Sequence, residues 1–124
     1  MKRLLLAIAL IVATAVSCQI ESLDKGLYTA NTKDGTLYLE LKGNHDCVMF
    51  FDGNEKKDCS YWISDGEIDL IANAVVKVSG RTVSWWFGGS LGKGKIYGDA
   101  FTIQSQRMYA SDAVEYIDVY FHKN

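Results

Sequence analysis

The stretch that decides the fold is residues 34–42, DGTLYLELK, where a turn signal is followed by strict alternation of apolar and more polar side chains. Leucine stands at every second position, with Tyr, Glu and Lys between. Because successive side chains of a β-strand point to opposite faces, this pattern predicts a strand with one face in a core and the other toward water. The Asp-Gly pair supplies the positive φ angles of a tight hairpin turn, so an antiparallel strand should precede this one.

The same unit of turn and alternating strand recurs along the chain. Similar phrases are DGEIDL at 65–70 and GDAFTI at 98–103, and alternation is equally clear at 116–122. With further turn signals at 52–54 and 79–80, the pattern predicts ten short strands. They lie at 26–31, 36–42, 46–51, 58–63, 67–71, 74–78, 82–87, 94–97, 100–105 and 115–122. The remaining long stretch, 106–113, is predicted to be a loop or a single helical turn.

Short strands without helical periodicity predict an all-β domain, a small antiparallel up-and-down β-barrel of about eight to ten strands. Closing the sheet removes the exposed edges that invite aggregation. A barrel of about eight strands is only just wide enough for side chains, so bulky inward residues favour a filled interior. The inward candidates are Leu37, Leu39, Leu41, Ile68, Leu70, Trp85, Ile117 and Phe121.

The composition limits what the chain can be. Its 124 residues suffice for one domain, and 13 Lys and Arg against 15 Asp and Glu leave no basic excess. Nucleic-acid binding normally needs a clustered basic face, so no nucleic-acid partner is expected. With 7 Tyr, 5 Phe and 3 Trp, the chain carries too much apolar surface to remain disordered.

The N-terminus has the pattern of an export signal. Lys2 and Arg3 precede an apolar run at 4–16. A helix of that length spans roughly 20 Å, short of the roughly 30 Å of a bilayer core, so a permanent transmembrane helix is not expected. The sequence predicts a signal peptide at 1–17, a tether at 18–25 and a β-barrel domain at 26–124.

The end of the apolar run, Ala15-Val16-Ser17-Cys18, resembles the lipobox of bacterial lipoproteins. The resemblance implies cleavage before Cys18 and acylation of its sulfur, with two or three acyl chains holding the mature protein on a membrane. It implies a lipid-anchored protein of the bacterial cell envelope, at the outer membrane, on its periplasmic or its surface face. The alternative is an ordinary secretory signal that leaves Cys18 free or disulfide-bonded.

Two further cysteines flank the turn at 52–54. The numbers of Cys47 and Cys59 average to 53, so a hairpin centred on this turn places them directly opposite each other. An exported protein meets an oxidising compartment, and this register therefore predicts a Cys47–Cys59 disulfide. The alternative is a pair of reduced, buried cysteines.

A lipobox, a short tether, Gly26-Leu27-Tyr28 and the repeated turn-strand units together resemble the small lipocalin-like β-barrel lipoproteins of Bacteroides-type bacteria. The resemblance covers nearly the whole mature chain and rests on pattern, without a diagnostic motif. It implies a lipocalin-like barrel on a lipid anchor. Most proteins of this kind have no assigned activity, so the resemblance adds more to the fold than to the function.

One glycine-rich segment has the spacing of a phosphate-binding loop. Gly89 to Lys95 fits that spacing, but Ile96 stands where a Ser or Thr should bind Mg²⁺. A strand pattern follows, where a phosphate site needs the N-terminus of a helix. The segment is interpreted as a flexible loop between strands, and no nucleotide is expected.

Metal-ligating residues do not form a complete set. A zinc site built on His45, Asp46 and Cys47 would need His122 as a further ligand. The stretch 52–63 begins like a calcium-binding loop but has lysines at positions where oxygen ligands are required. No metal and no cofactor are therefore expected.

Glu67 and Asp69 lie two residues apart on one strand face, a geometry compatible with the paired carboxylates of a glycosidase. Because Ile68 and Leu70 take the core face, both acids are expected on a solvated exterior. No catalytic residue is assigned, and an enzyme is not expected.

Large aromatic residues are the most informative sign of function. Trp85 and Trp86 point to opposite faces of one predicted strand, so one of them must be exposed or covered. Either Trp85 fills the barrel and Trp86 packs beneath 106–113, or exposed aromatics form a recognition surface. The candidate ligand-binding residues are Trp62, Trp86, Tyr38, Tyr116 and Tyr120.

The sequence thus predicts an exported, lipid-anchored envelope lipoprotein that acts as a non-catalytic binding or accessory module. Its loops and aromatics would be presented to an envelope protein or a glycan, and the membrane is a partner through the anchor. Three other functions stay open: a carrier of a small apolar ligand in the barrel, a small hydrolase using Glu67 or Asp69, and a subunit of a larger envelope assembly.

Overall fold

The computed structural model describes residues 23–109 and 113–124, and these residues form an all-β domain. The predicted signal peptide, Cys18 and most of the tether lie outside the described residues. The strands of the described ranges are β1 (Gly26–Thr32), β2 (Gly35–Gly43), β3 (Asp46–Phe51), β4 (Lys57–Ser64), β5 (Glu67–Val78), β6 (Arg81–Phe87), β7 (Lys93–Tyr97), β8 (Ala100–Tyr109) and β9 (Ala113–Lys123). A short 3-10 turn at Gly89–Leu91 separates β6 from β7. Over these same ranges, no helix has the length and apolar character required to span a bilayer.

The strands form one closed antiparallel sheet. β1 to β5 pair in chain order, β8 pairs with β9, and β9 returns to β1. β6 and β7 together fill the place between β5 and β8, because residues 72–78 of β5 pair with β6 and residues 67–69 pair with β7. Eight strand positions therefore close an up-and-down barrel, and β7 is an extra strand that continues the line of β6. The predicted fold class is confirmed.

Alternate turns of such a barrel lie at opposite ends. The lower end is defined here by the turns at 44–45, 65–66 and 98–99, together with Leu23 and Asn124. The upper end carries the turns at 33–34, 52–56 and 79–80. Every predicted turn signal is a hairpin reversal in the structure. One further reversal, Asn44-His45, has φ angles of 51° and 67° at two non-glycine residues, so it lacked the Gly signal of the others.

Side chains fill the interior of the barrel. Phe101 lies 5.1 Å from Phe121 and Phe51 lies 5.9 Å from Trp85, measured between ring centroids. All the predicted inward residues are buried except Ile117, which is half-buried. The largest fully buried side chains are Trp85, Tyr28, Phe51, Phe87, Phe101 and Phe121. The predicted packed core is therefore present.

The glycine-rich segment 88–94 owes its composition to packing. A Cβ added to Gly92 would overlap the carbonyl oxygen of Leu70, and one added to Gly94 would overlap that of Thr102. The Leu70 amide donates to the Gly92 carbonyl oxygen at 2.7 Å, which holds the segment against β5. Only glycine permits so close an approach of two backbones. The segment connects β6 to β7, as predicted, and its last glycines are packed between β5 and β8.

Two predictions of local structure need correction. The predicted strands 67–71 and 74–78 are one continuous strand, β5, because alternation of buried and exposed side chains persists through residues 72 and 73. The predicted irregular stretch 106–113 is also wrong in its first half, since residues 106–109 extend β8. Residues 106–109 lie on the strand next to Trp86, and Gln106 is directly opposite Trp86. Trp86 is 40% exposed.

Candidate functional site

A groove on the outer wall of the barrel, near the lower end, is the strongest candidate for a binding site. Its volume is about 230 Å³. It runs along β4 and β5 from the turn at 65–66. Its lining residues are Trp62, Ser64, Asp65, Glu67, Ile68, Asp69 and Lys93. Aromatic, acidic, basic and hydroxyl groups thus meet in a single concave surface.

The register of three strands places these side chains in two rows. Trp62 of β4 is opposite Asp69 of β5, and Asp69 is opposite Lys93 of β7. The neighbouring row contains Glu67, flanked by Ser64 and Lys95. Directly opposed residues of antiparallel strands have Cβ atoms about 4.5–5.5 Å apart, so each row presents its groups within the width of one small ligand.

Trp62 forms the aromatic side of the groove. Its indole is 43% exposed and stacks on the His45 ring, with centroids 5.5 Å apart and planes inclined by 25°. The His45 ring is itself fixed, because Nδ1 donates to the Tyr61 carbonyl oxygen at 3.0 Å. The turn at 44–45, bonded to β4 beside Trp62, therefore supports one face of the indole.

The carboxylates of the groove have no partner among the residues that the structure describes. Within residues 23–109 and 113–124, the side chains of Glu67 and Asp69 form no ion pair and no hydrogen bond. Asp69 is half-buried and Glu67 is exposed, in agreement with the predicted solvated exterior. Their oxygens are thus available to accept hydrogen bonds from a ligand.

The structure does not bring the five predicted binding aromatics together. Tyr38 is half-buried and stacks on Phe50 at 5.1 Å between ring centroids. Tyr116 and Tyr120 are exposed on β9, on the far side of the sheet order from β4. Trp86 lies on β6, in the same row as Gln106 and Tyr116. Trp62 alone among the five lines the groove.

A buried charge network at the upper end was missed by sequence reasoning. The Asp34 carboxylate accepts Arg107 Nε at 2.6 Å and Arg107 Nη2 at 2.8 Å, and it also accepts Trp85 Nε1 at 2.7 Å. Arg107 donates a further bond to Glu115 at 2.8 Å, and Lys33 pairs with Glu115 at 3.1 Å. Asp34 and Arg107 lie 73 residues apart in the chain, so no local pattern could have linked them.

This network keeps its charges at ordinary pH. Burial by itself would raise the pKa of Asp34, but the hydrogen bonds from Arg107 and Trp85 and the Arg107 charge outweigh it, and the pKa falls below 3.8. The same hydrogen bonds to Asp34 raise the pKa of Arg107. Bidentate pairing of this kind is the geometry in which Arg and carboxylate interact most strongly. The network closes the upper end of the interior.

Tyr28 closes the interior at the lower end. Its ring is fully buried, and its hydroxyl donates to the Asp24 carbonyl oxygen at 2.8 Å. Burial, followed by the negative charges of Asp24 and Asp99, raises the pKa of the phenol to about 12. The hydroxyl therefore stays neutral in the folded protein.

The predicted disulfide is confirmed. Cys47 and Cys59 are directly opposed in the β3–β4 ladder, with Cα atoms 4.9 Å apart, and are joined as a disulfide. A hollow of about 390 Å³ lies beside it and is lined by Lys42, Asp46, Cys47, Asp58, Cys59 and Ser60. This hollow is larger than the Trp62 groove, but its lining contains no aromatic side chain. It therefore offers less for specific recognition.

The other ligand motifs considered from the sequence have structural roles. Cys47 is committed to the disulfide, and His45 is fixed against Trp62, so neither is poised as a metal ligand. In the part of the chain that the structure describes, no three His, Cys, Asp or Glu side chains converge as a metal site. Lys93 and Lys95 are residues of strand β7 in the rows beside Asp69 and Glu67.

Comparison of the chain with protein-family models, curated proteins and solved structures finds no match, so the chain is assigned to no family.

Proposed function

We propose that this protein is an exported, lipid-anchored envelope lipoprotein that acts as a non-catalytic binding module. Recognition takes place on the outer wall of the barrel, at the groove beside Trp62, and the ligand is presented by the cell envelope. The resemblance to lipocalin-like β-barrel lipoproteins and the lipobox at Cys18 support the location at an outer membrane.

The observation that carries this proposal is the contrast between the interior and the outer wall. The interior is packed with side chains and closed by Asp34 and Arg107 at the upper end. The groove at the lower end combines an exposed indole with carboxylates that have no partner among the described residues. Concave sites with an apolar surface and a few convergent polar groups are the usual form of ligand sites. Surface recognition therefore fits this barrel better than carriage of an apolar ligand.

One feature of the structure says how an anchor would orient the barrel, and a second supports export. The described chain enters the barrel at the lower end, at Leu23, five positions after Cys18 (23 − 18). Acylation of Cys18 would thus set the lower end, with its groove, toward the membrane and the upper end away from it. The Cys47–Cys59 disulfide is of the kind that persists in oxidising compartments, which agrees with export.

The anchor is tested by growing cells with labelled palmitate. The wild-type protein should carry label and sediment with membranes, whereas Cys18→Ala should lose both properties. Unlabelled wild-type protein in the soluble fraction would show that the signal is an ordinary secretory one.

Recognition is tested separately by co-sedimentation of the Cys18→Ala protein, which has no acyl anchor and serves as the background for all variants, with purified envelope material. Saturable retention is expected, and Trp62→Ala should weaken it by at least tenfold because the indole forms one side of the groove. Trp86→Ala is the matched control, since that indole is equally exposed on the outer wall but lies outside the groove. Equal retention of both variants would remove the groove from the proposal, and turnover of any glycoside by the wild type would contradict the non-catalytic role.

A further inference from the structure

We infer that the Trp62 groove accepts a single neutral pyranose ring, as the free sugar or as one residue of a glycan. This inference rests on the proposed binding function and adds the chemical class of the ligand. It is carried by three properties of the groove: its size, its one flat aromatic face and the order of its polar groups.

The size of the groove limits the ligand to about one ring. Its volume is about 230 Å³, below the roughly 300–1,000 Å³ of pockets that enclose drug-sized molecules. The groove is an open channel on the wall, and its lower end meets the exposed turn at 65–66. One residue of a longer chain can therefore occupy it while the neighbouring residues extend past the turn.

The aromatic face favours a ligand that is apolar on one side. The Trp62 indole is held by the stack with His45, so it presents a rigid flat surface without further loss of side-chain freedom. Trp combines such a surface with a polar N–H, which suits ligands that have both C–H and hydroxyl groups. A pyranose ring has this character, because its C–H bonds cluster on one face while its hydroxyls project from the rim.

The charged groups of the groove select against an anionic ligand. Moving away from Trp62, the row passes first to the Asp69 carboxylate and then to the Lys93 ammonium. Three carboxylates line the groove, at Asp65, Glu67 and Asp69, and they would repel an acidic sugar. Lys93 stands on the opposite side of the same row and offsets one of the three negative charges, so a simple cation gains only part of their attraction.

The same row fits the hydroxyls of a neutral sugar. A neutral polyol uses both kinds of group, because its hydroxyls donate to the carboxylates and accept from the ammonium. Charge-assisted hydrogen bonds of this type are the stronger ones in proteins, and a groove on the surface gains from them without burying an unpaired charge.

The test is ligand-observed NMR with the full chain in a detergent that has no sugar headgroup. The probes are the methyl pyranosides of glucose, galactose, mannose and N-acetylglucosamine, with glucuronic and galacturonic acids and tetramethylammonium as comparisons. We expect saturation transfer to the C–H protons of at least one neutral pyranoside. The acids and the cation should bind at least tenfold more weakly.

Variants connect the signal to the groove. Trp62→Ala and Asp69→Asn should each lower the affinity for the neutral sugar at least fivefold, whereas Trp86→Ala and Asp52→Asn should leave it within twofold. Asp52 is an exposed carboxylate at the opposite end of the barrel, so it controls for the loss of one negative charge.

The outcomes separate this inference from the proposed function. If envelope retention depends on Trp62 but no neutral pyranoside binds, the binding module stands and the sugar assignment is overturned. Preferential binding of an acidic sugar or of tetramethylammonium overturns the assignment in the same way. If a neutral pyranoside binds equally well to Trp62→Ala, the groove is not its site.

Discussion

Asp34 is a carboxylate held inside a barrel whose other interior groups are almost all apolar. Its side chain is only 3% exposed and that of Arg107 only 7%. Without the Asp34 charge, Arg107 would keep only the half-exposed Glu115 as a partner, and breaking a buried pair is far more costly than losing an exposed one. The Trp85 indole N–H is a further, neutral donor to Asp34 Oδ2, the oxygen that also accepts Arg107 Nε.

Asp34→Asn should therefore lower the free energy of unfolding by about 3 kcal/mol, measured by urea denaturation at pH 7. Asp52→Asn, in an exposed turn at the same end, is the matched control and should change it by less than about 0.5 kcal/mol.

The pH dependence gives an independent check of the same residue. Because the folded-state pKa of Asp34 is lowered, its contribution is fully present above the unfolded-state pKa and is lost as the pH falls through the lower folded-state value. The difference between wild type and Asp34→Asn should thus be constant from pH 5 to 7 and narrow below about pH 4. A difference that stays constant down to pH 2.5 would contradict the ionised buried pair.

Among the secondary-structure elements, the connection between β6 and β7 is the least ordinary. The chain leaves the sheet after Phe87, makes a 3-10 turn and re-enters the same strand position at Lys93. Gly92 and Gly94 allow this because the segment passes directly against the carbonyl oxygens of β5 and β8. This route places Lys93 of the groove opposite Asp69, and Lys95 opposite Glu67.

Gly92→Ala should therefore destabilise the fold by about 1–3 kcal/mol or more, because a methyl group has no space beside the Leu70 carbonyl. Thermal unfolding followed by circular dichroism measures this. Ser90→Ala, an exposed change in the same turn, should shift the melting temperature by no more than about 2 °C. Equal melting temperatures of Gly92→Ala and wild type would show that the segment can move away from β5.

The β3–β4 hairpin gains a covalent link. Cys47 and Cys59 are 12 residues apart, and closing a loop of about this size restricts the unfolded chain by about 3 kcal/mol. The Cys47→Ala/Cys59→Ala double variant should lose about 2–4 kcal/mol of unfolding free energy. A reducing agent should lower the stability of the wild type and leave the double variant unchanged; loss of stability in both would point to an effect on another part of the protein.

At the scale of the whole molecule, closure of the sheet directs each strand side chain either into the interior of the barrel or onto its outer wall. The inside is occupied by aromatic and aliphatic side chains, so the outer wall is where a partner can bind. Aromatic residues on that wall are spread over several strands and do not form one platform. Among the five aromatic residues predicted to bind a ligand, Trp62 alone lines a concave surface, which is why the proposed recognition is placed there.

A filled interior should not accept an apolar fluorescent probe. We expect no increase in the emission of anilinonaphthalene sulfonate with the folded wild type at pH 7, and a large increase with a Phe101→Ala variant that opens a cavity in the core. The comparison is made by fluorescence titration in the absence of detergent micelles. Strong, saturable probe binding to the wild type would favour the carrier function.

Much of the fold could be predicted because its determinants are local. Alternation over residues 34–42 identifies a strand and its buried face, and Asp-Gly and Gly-Asp pairs specify the reversals. A hairpin turn also fixes register over a short distance, which is why the Cys47–Cys59 pair could be predicted. Local signals failed where they were weak, as at 106–109, where polar and apolar residues follow without a clear period.

By itself the sequence determined the all-β class, the turns, the buried face of most strands and the disulfide, because each depends on residues a few positions apart. Tertiary structure alone decided which distant side chains meet. Asp34 reaches Arg107 and Trp85 only because the sheet closes on itself, and Lys93 joins the row of Trp62 and Asp69 only because β7 continues the line of β6. Contacts across a barrel depend on how far each strand is shifted along its neighbour, and that shift is set by the packing of the whole core.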